Sequence, residues 1–356
     1  MPSSTTENVE SMIQNGFRPP NLPAKPSDEK RRHIAHVERI LSLQPSPSSS
    51  SSHHRARDEE RRALDALWRN ELITGRELVL TEQMRRLWSE YGLPSSFVRS
   101  IIWPWRSSVV TTSPQSARRR PPPGNEIDYS KLIELDLRRT LPFLGIYEDK
   151  SSMEKCTSVL EKFASQFPQI GYTQGMSYVC TRIMIEMGFD ERKTFPCLWR
   201  ILIKSKTVAC MYRLNLEEIR GSVEFLVDSI AWDNIPSLWL SLKKLRFRPI
   251  DYFLIEWILT MFVKNFNLRI SGFIFDQFFL DGDVAIYKAA IGILSLLDDK
   301  ISTLLARNAD VEEVREVVIN ANAEIADFQD FVKAFNDVYV SESVLKLIVD
   351  GFQVLD

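Results

Sequence analysis

The chain has 356 residues, enough for one or two domains with a substantial core. Its 44% hydrophobic and 26% charged residues are ordinary for a soluble globular protein, and a formal net charge of -2 implies no bulk attraction to nucleic acid. No apolar run reaches the roughly 18 residues that a membrane-spanning helix needs, and the Ser-, Thr- and Glu-rich start lacks the apolar segment of a signal peptide, so a cytoplasmic location is expected.

Residues 1–57 are poor core material. Pro19, Pro20, Pro23, Pro26 and the serine run at 48–52 favour a disordered head, with room for a short helix over 31–43 that places Ile34, Val37 and Leu41 on one side. Such a head serves as a regulatory or docking segment, or as an inert tail. All four histidines, His33, His36, His53 and His54, fall in it. That argues against a histidine base, a Ser/His/Asp arrangement or a histidine-held metal in the folded part. The folded part is expected over 58–356.

Helical periodicity starts near Asp58 with the stripe Leu64, Leu67, Trp68 and Leu72, and Gly75 offers a stop. Ser95 or Ser96 can cap the next helix, and Trp88, Trp103 and Trp105 are expected in the core. Residues 106–127, rich in Ser, Thr, Pro and Arg, read as a flexible loop whose Arg118, Arg119 and Arg120 are solvated or meet an acidic surface or lipid. A short helix then runs from Ile133 and stops before Pro142. Met153, Cys156, Val159, Leu160 and Phe163 trace another that ends before Pro168. At Gly171-Tyr172-Thr173-Gln174-Gly175-Met176 a polar turn passes into a helix marked by Met176, Val179, Ile183 and Met187, ending at Gly188. Gln174 thus lies at or just before a first turn with free backbone N–H groups.

Further helices are expected over 195–203, 216–230, from Ile235 with Pro236 in its first turn, 251–263 as one buried helix, 284–297, 311–319, 325–335 and 343–352. No strand-length alternation and no repeat of 33 to 47 residues is visible, so the fold class is all-α. Cys156, Cys180, Cys197 and Cys210 form no CxxC pair and sit in apolar helical contexts. They read as buried thiols in a reducing compartment.

Four blocks carry a family resemblance. Ile133-Glu134-Leu135-Asp136-Leu137-Arg138-Arg139-Thr140 resembles the IxxDxxRT signature of TBC domains, which activate Rab GTPases, and Tyr172-Thr173-Gln174-Gly175 resembles that family's YxQG. The stretch from Gly92 to Trp103 is similar to GIPxxLRGxVW, with Ser100 in place of a glycine. Phe275-Asp276-Gln277-Phe278-Phe279-Leu280-Asp281-Gly282 is similar to WDxFFxEG, with Phe275 for the tryptophan and Asp281 for the glutamate; Asp276 is expected to pair with an arginine of a neighbouring helix. The resemblance covers roughly residues 62–340. It implies an irregular multi-helix TBC-type domain in two helical lobes.

The resemblance also implies chemistry. GTP hydrolysis is accelerated mainly by orienting the attacking water and neutralising charge on phosphoryl oxygens. A permanently charged planar guanidinium suits the second task and a carboxamide the first. By resemblance Arg139 is the arginine finger and Gln174 the glutamine finger, acting on a Rab-family GTPase in its GTP-bound form. The chain would have no cofactor of its own, since GTP and Mg²⁺ arrive on that partner. Asp136, three residues before Arg139, shares its helical face and is expected to fix the pose of Arg139. Tyr172 is expected to pack beneath the turn and Gly175 to let the backbone approach the partner, with Thr140 and Ile133 supporting. Vesicle trafficking and peripheral membrane association through the partner follow as expectations. The alternative is a catalytically silent TBC-shaped scaffold that binds a GTPase or effector.

Overall fold

The structure, a computed structural model, describes residues 62–70, 72, 80–108, 128–213 and 216–350, without side chains over 213–219. The head and its histidines, Gly75 and the arginines at 118–120 lie outside the described residues. Among the described residues there is no strand, and the all-α expectation holds.

Helix α1 (62–70) buries Trp68, which meets Trp88 of α2 (Glu82–Tyr91) edge to face at 6.0 Å. The Thr81 side chain caps α2 by accepting the Met84 N–H, and Gly92 ends it with φ +73°. Ser95, rather than Ser96, caps α3 (Ser96–Ser108), its Oγ 3.4 Å from the Val98 nitrogen. Next come α4 (Ser130–Arg138), two single 3₁₀ turns at Pro142–Leu144 and Ile146–Glu148, and α5 (Lys150–Gln166), capped by Asp149. α6 (Met176–Met187) ends at Gly188 in the left-handed region. α7 (Glu191–Trp199), capped by Asp190, widens into a π turn at Arg200–Lys204 before α8 (Lys206–Arg213).

α9 (Leu216–Asn234) and α10 (Pro236–Lys244) follow, the latter with Pro236 in its first turn as expected. A second π turn, Ile250–Leu254, leads into α11 (Ile255–Leu259). α12 (Leu268–Asp281) starts at an Asn267 cap and buries every residue from Ile270 to Leu280. α13 (Val284–Leu296), α14 (Asp298–Ala306), α15 (Val311–Ile319) with a full Asp310–Glu313 capping box, α16 (Ala321–Glu324), α17 (Phe328–Asp337) and α18 (Glu342–Asp350) complete the chain.

α3 to α7 pack into one group, while α8 to α18 gather around α12 and α13. α12 also packs on α2 and α3, so a single apolar interior runs through both groups. Asp276 holds that junction. Its carboxylate accepts from Arg99 Nη2 at 2.7 Å and Nε at 3.0 Å, from Trp103 Nε1 at 3.0 Å and from the Leu93 N–H at 2.9 Å. Arg99 is therefore the neighbouring arginine that the sequence calls for. Arg99 also reaches Glu186 at 3.4 Å, and Glu186 pairs with Arg182 at 2.6 Å. Burial opposes the Arg99 charge, but the Asp276 carboxylate outweighs it and keeps the guanidinium protonated above its usual range.

Four expectations are corrected. The 106–127 loop begins later, because α3 runs on to Ser108 through Pro104. Arg106 holds that end by donating to the Phe279 and Leu280 carbonyls at 2.8 and 2.9 Å, the last turn of α12. Trp105 on the same turn is only half-buried, whereas Trp88 and Trp103 are fully enclosed. The helix expected over 251–263 breaks after α11, where Met261 (φ 47°) and Phe262 (φ 64°) take the left-handed region. The reversal brings Phe262 and Phe266 onto Trp257 at 5.6 and 5.1 Å, which offsets roughly 1–2 kcal/mol of strain per residue. The helix expected over 325–335 starts only at Phe328, because Asp327 caps it by accepting the Gln329 N–H at 2.9 Å.

Candidate functional site

Arg139 closes α4. Ile133 and Leu137 are fully buried and anchor the helix, and its last turn tightens as the Arg139 and Thr140 N–H groups reach the Asp136 and Leu137 carbonyls. Pro142 then starts the 3₁₀ turn. This leaves the Arg139 side chain 55% exposed above a buried Asp136. Asp136 Oδ1 accepts from Arg139 Nη2, and Oδ2 accepts from the Tyr172 hydroxyl at 2.8 Å. Thr140, also buried, donates to the Asp136 carbonyl at 2.7 Å and lies 2.9 Å from Ser177 Oγ of α6.

Gln174 stands in the turn that leads into α6, one residue before the Gly175 cap, and both Thr173 and Gln174 are exposed. Two glycines shape that turn. Gly171 has φ +63°, and a Cβ there would lie 2.5 Å from the Tyr129 hydroxyl. Gly175 has φ +109°, and a Cβ there would sit 3.2 Å from the Tyr212 hydroxyl and 3.6 Å from the Leu259 carbonyl. On its Cβ side Gly175 thus approaches the chain's own floor closely. That floor is fixed, since Tyr212 donates to the Leu259 carbonyl at 2.5 Å.

Tyr172 packs beneath the turn as the sequence suggests. Burial, then the Asp136 carboxylate, pushes its phenol far above the usual range, so it remains an O–H donor. Tyr178, half-buried on the first turn of α6, has its hydroxyl 3.5 Å from the Arg139 carbonyl. Its phenol is pushed up to about 12 by burial and Glu256, partly offset by Arg139. Glu256 itself pairs with Lys264 and accepts from Asn265 at 2.7 Å.

One buried carboxylate therefore ties together the two segments that carry an exposed cation and an exposed amide. Ser177, Tyr178, Tyr212 and Leu259 were not anticipated as supports. Ser177 and Tyr178 follow Gln174 closely enough to be suspected, but nothing in the sequence links Tyr212 or Leu259 to it. Among the described residues no group of His, Cys, Asp and Glu could hold a metal ion, and no helix is long and apolar enough to cross a membrane. Cys156, Cys180 and Cys197 are buried free thiols and Cys210 is half-buried.

A family model described as the Rab-GTPase-TBC domain matches residues 97–302, more than half of the chain. The chain is similar to mouse TBC1 domain family member 12, 26% identical over 316 residues that cover 79% of this chain and 44% of that protein. It is also similar to human TBC1 domain family member 14, 25% identical over 324 residues covering 81% and 46%. The chain thus spans less than half the length of these curated relatives. Two solved structures share its fold. One is the Chlamydomonas flagellar RabGAP TBC domain, with a TM-score of 0.61, 18% identity and coverage of 79% of this chain and 95% of that one. The other is the Ypt/Rab-GAP domain of Gyp1p, with a TM-score of 0.58, 16% identity and coverage of 77% and 98%.

Proposed function

The chain belongs to the Rab-GTPase-TBC domain family, and from that membership we propose that it is a GTPase-activating protein for a GTP-bound Rab-family small GTPase. It supplies Arg139 and Gln174 in trans and binds no cofactor of its own; GTP and Mg²⁺ come with the partner. The observation that carries the reading is the buried Asp136 carboxylate, one oxygen on Arg139 and the other on Tyr172, two residues before Gln174. A guanidinium left free in solvent samples many rotamers, and ordering it costs entropy. One held at its root by a buried carboxylate reaches a partner's phosphate at lower cost. Delivered there, it neutralises charge that builds on the phosphoryl oxygens, while the Gln174 amide orients the attacking water.

Activity of this kind places the protein in vesicle trafficking, in the cytoplasm and peripherally at membranes through its GTPase. The test is single-turnover hydrolysis on a panel of GTP-loaded Rab GTPases. Arg139→Ala should cut the stimulated rate on any responsive Rab by about 10³-fold or more, and Gln174→Ala should cut it strongly too. Undiminished stimulation by both variants refutes the two-finger reading. GTP-dependent binding by the wild type without acceleration assigns the chain to the scaffold class instead.

A further inference from the structure

α4 leaves two large apolar side chains in solvent, Leu132 at 46% and Leu135 at 52% exposure. The core side of the helix is already filled by Ile133 and Leu137, so neither leucine serves the interior. With 3.6 residues per turn, Leu132 lies about 20° and Leu135 about 40° around the axis from Arg139. At a rise of about 1.5 Å per residue, Leu132 is about 10 Å from Arg139 along the helix. The two leucines and the arginine form one exposed stripe, flanked by exposed Lys131, Glu134 and Arg138.

Geometry decides what covers that stripe. A stable interface takes about 800 Å² from each partner, a patch about 30 Å across. Contact of that size around Arg139 reaches about 15 Å on every side and includes both leucines. Apolar side chains enclosed there favour apolar neighbours, since polar groups buried against them would lose hydration without compensation. The flanking charges have both signs, as at the polar rim of a protein interface, and Arg139 on the same stripe, reaching a nucleotide held by the GTPase, puts that protein over the leucines.

We propose that Leu132 and Leu135 are the apolar anchor by which this chain grips its GTPase, docking on apolar side chains of that GTPase within about 15 Å of the bound γ-phosphate. The proposal rests on Arg139 being the finger. It divides labour along α4: Arg139 accelerates the chemical step, and the leucines set how tightly the GTPase is held before that step.

The experiment titrates the 356-residue chain against a responsive GTP-loaded Rab from the panel, reading the half-saturating concentration and the plateau rate separately. Leu132→Ser with Leu135→Ser should raise half-saturation about 10- to 100-fold and keep the plateau within about threefold. Leu132→Met with Leu135→Met, and Leu240→Ser at an exposed leucine on α10, should stay near wild type. Thermal melts confirm that each variant is folded. Unchanged half-saturation in the serine variant overturns the proposal, and so does a lowered plateau at unchanged half-saturation. If instead sedimentation shows a wild-type dimer lost in that variant while half-saturation holds, the stripe joins two copies and the proposal falls. Arg139→Ala runs alongside: when it lowers the plateau and the leucine variants do nothing, the anchor alone is wrong. When Arg139→Ala itself changes nothing, the finger reading fails and takes the anchor with it.

Discussion

Asp136 differs from a carboxylate of an exposed ion pair, which contributes about 0–1 kcal/mol. Its oxygens are buried and already assigned, one to Arg139 and one to Tyr172, an arrangement suited to fixing geometry. Asp136→Asn keeps the shape but removes the charge that holds the guanidinium. The plateau rate of stimulated hydrolysis should fall about tenfold, less than in Arg139→Ala, with half-saturation nearly unchanged. A plateau equal to wild type removes Asp136 from the mechanism. Tyr172 gives a pH prediction. Its folded-state value lies above that of the unfolded chain, near 10, so the folded form keeps a proton that the unfolded form releases in alkali. Stability from this group is complete below about pH 10 and is lost as pH rises beyond it. Melting curves from pH 8 to 11 should show an alkaline decline that is shallower in Tyr172→Phe; identical slopes contradict the assignment.

At the scale of elements, the two exposed side chains are supported from different sides. Arg139 is tied to α6 through Asp136, Thr140 and Ser177, whereas the turn that carries Gln174 rests, at Gly175, on a floor made by α8 and the end of α11. That floor exists because α11 stops early. Met261 and Phe262 turn left-handed, and Tyr212 takes up the Leu259 carbonyl at the end of the helix. The sequence over 251–263 gives no warning of this, since it holds no glycine or proline and its apolar run reads as one helix. The break comes from aromatic packing around Trp257, a tertiary cause that periodicity cannot register. Gly175→Ala tests the floor. It forces a side chain into a φ of +109° and within 3.2 Å of the Tyr212 hydroxyl. It should destabilise the protein by about 1–3 kcal/mol and lower stimulated hydrolysis more than Tyr212→Phe does. If Gly175→Ala melts and acts like wild type, the turn is not constrained from below.

Across the whole molecule, what could be read in advance followed the range of the signal. Helix existence, the Asp136–Arg139 neighbourhood and the core tryptophans Trp88 and Trp103 follow from local spacing and apolar stripes. The link from Asp136 to Tyr172 and the floor under Gly175 do not, because they join residues far apart in the chain. Asp276 shows the intermediate case: an arginine partner was expected, but only packing of α12 on α3 selects Arg99, 177 positions away. This junction joins the two helical groups, and it sets stability apart from activity. Removing one member of a buried, hydrogen-bonded ion pair leaves its partner's charge uncompensated, at about 3–5 kcal/mol. Asp276→Ala should therefore lower the melting temperature by about 6–20 °C, since each kcal/mol shifts a domain of this size by about 2–4 °C. Arg139→Ala strips one oxygen of the buried Asp136 of its partner, but Arg139 is half exposed, so water can reach that oxygen in its place. It should lower the melting temperature by less, about 2–5 °C, while removing most stimulated hydrolysis. A scanning-calorimetry comparison of the two variants decides the matter. Similar melting losses in both would mean that Arg139 is part of the scaffold, and its effect on hydrolysis would then report unfolding instead of chemistry.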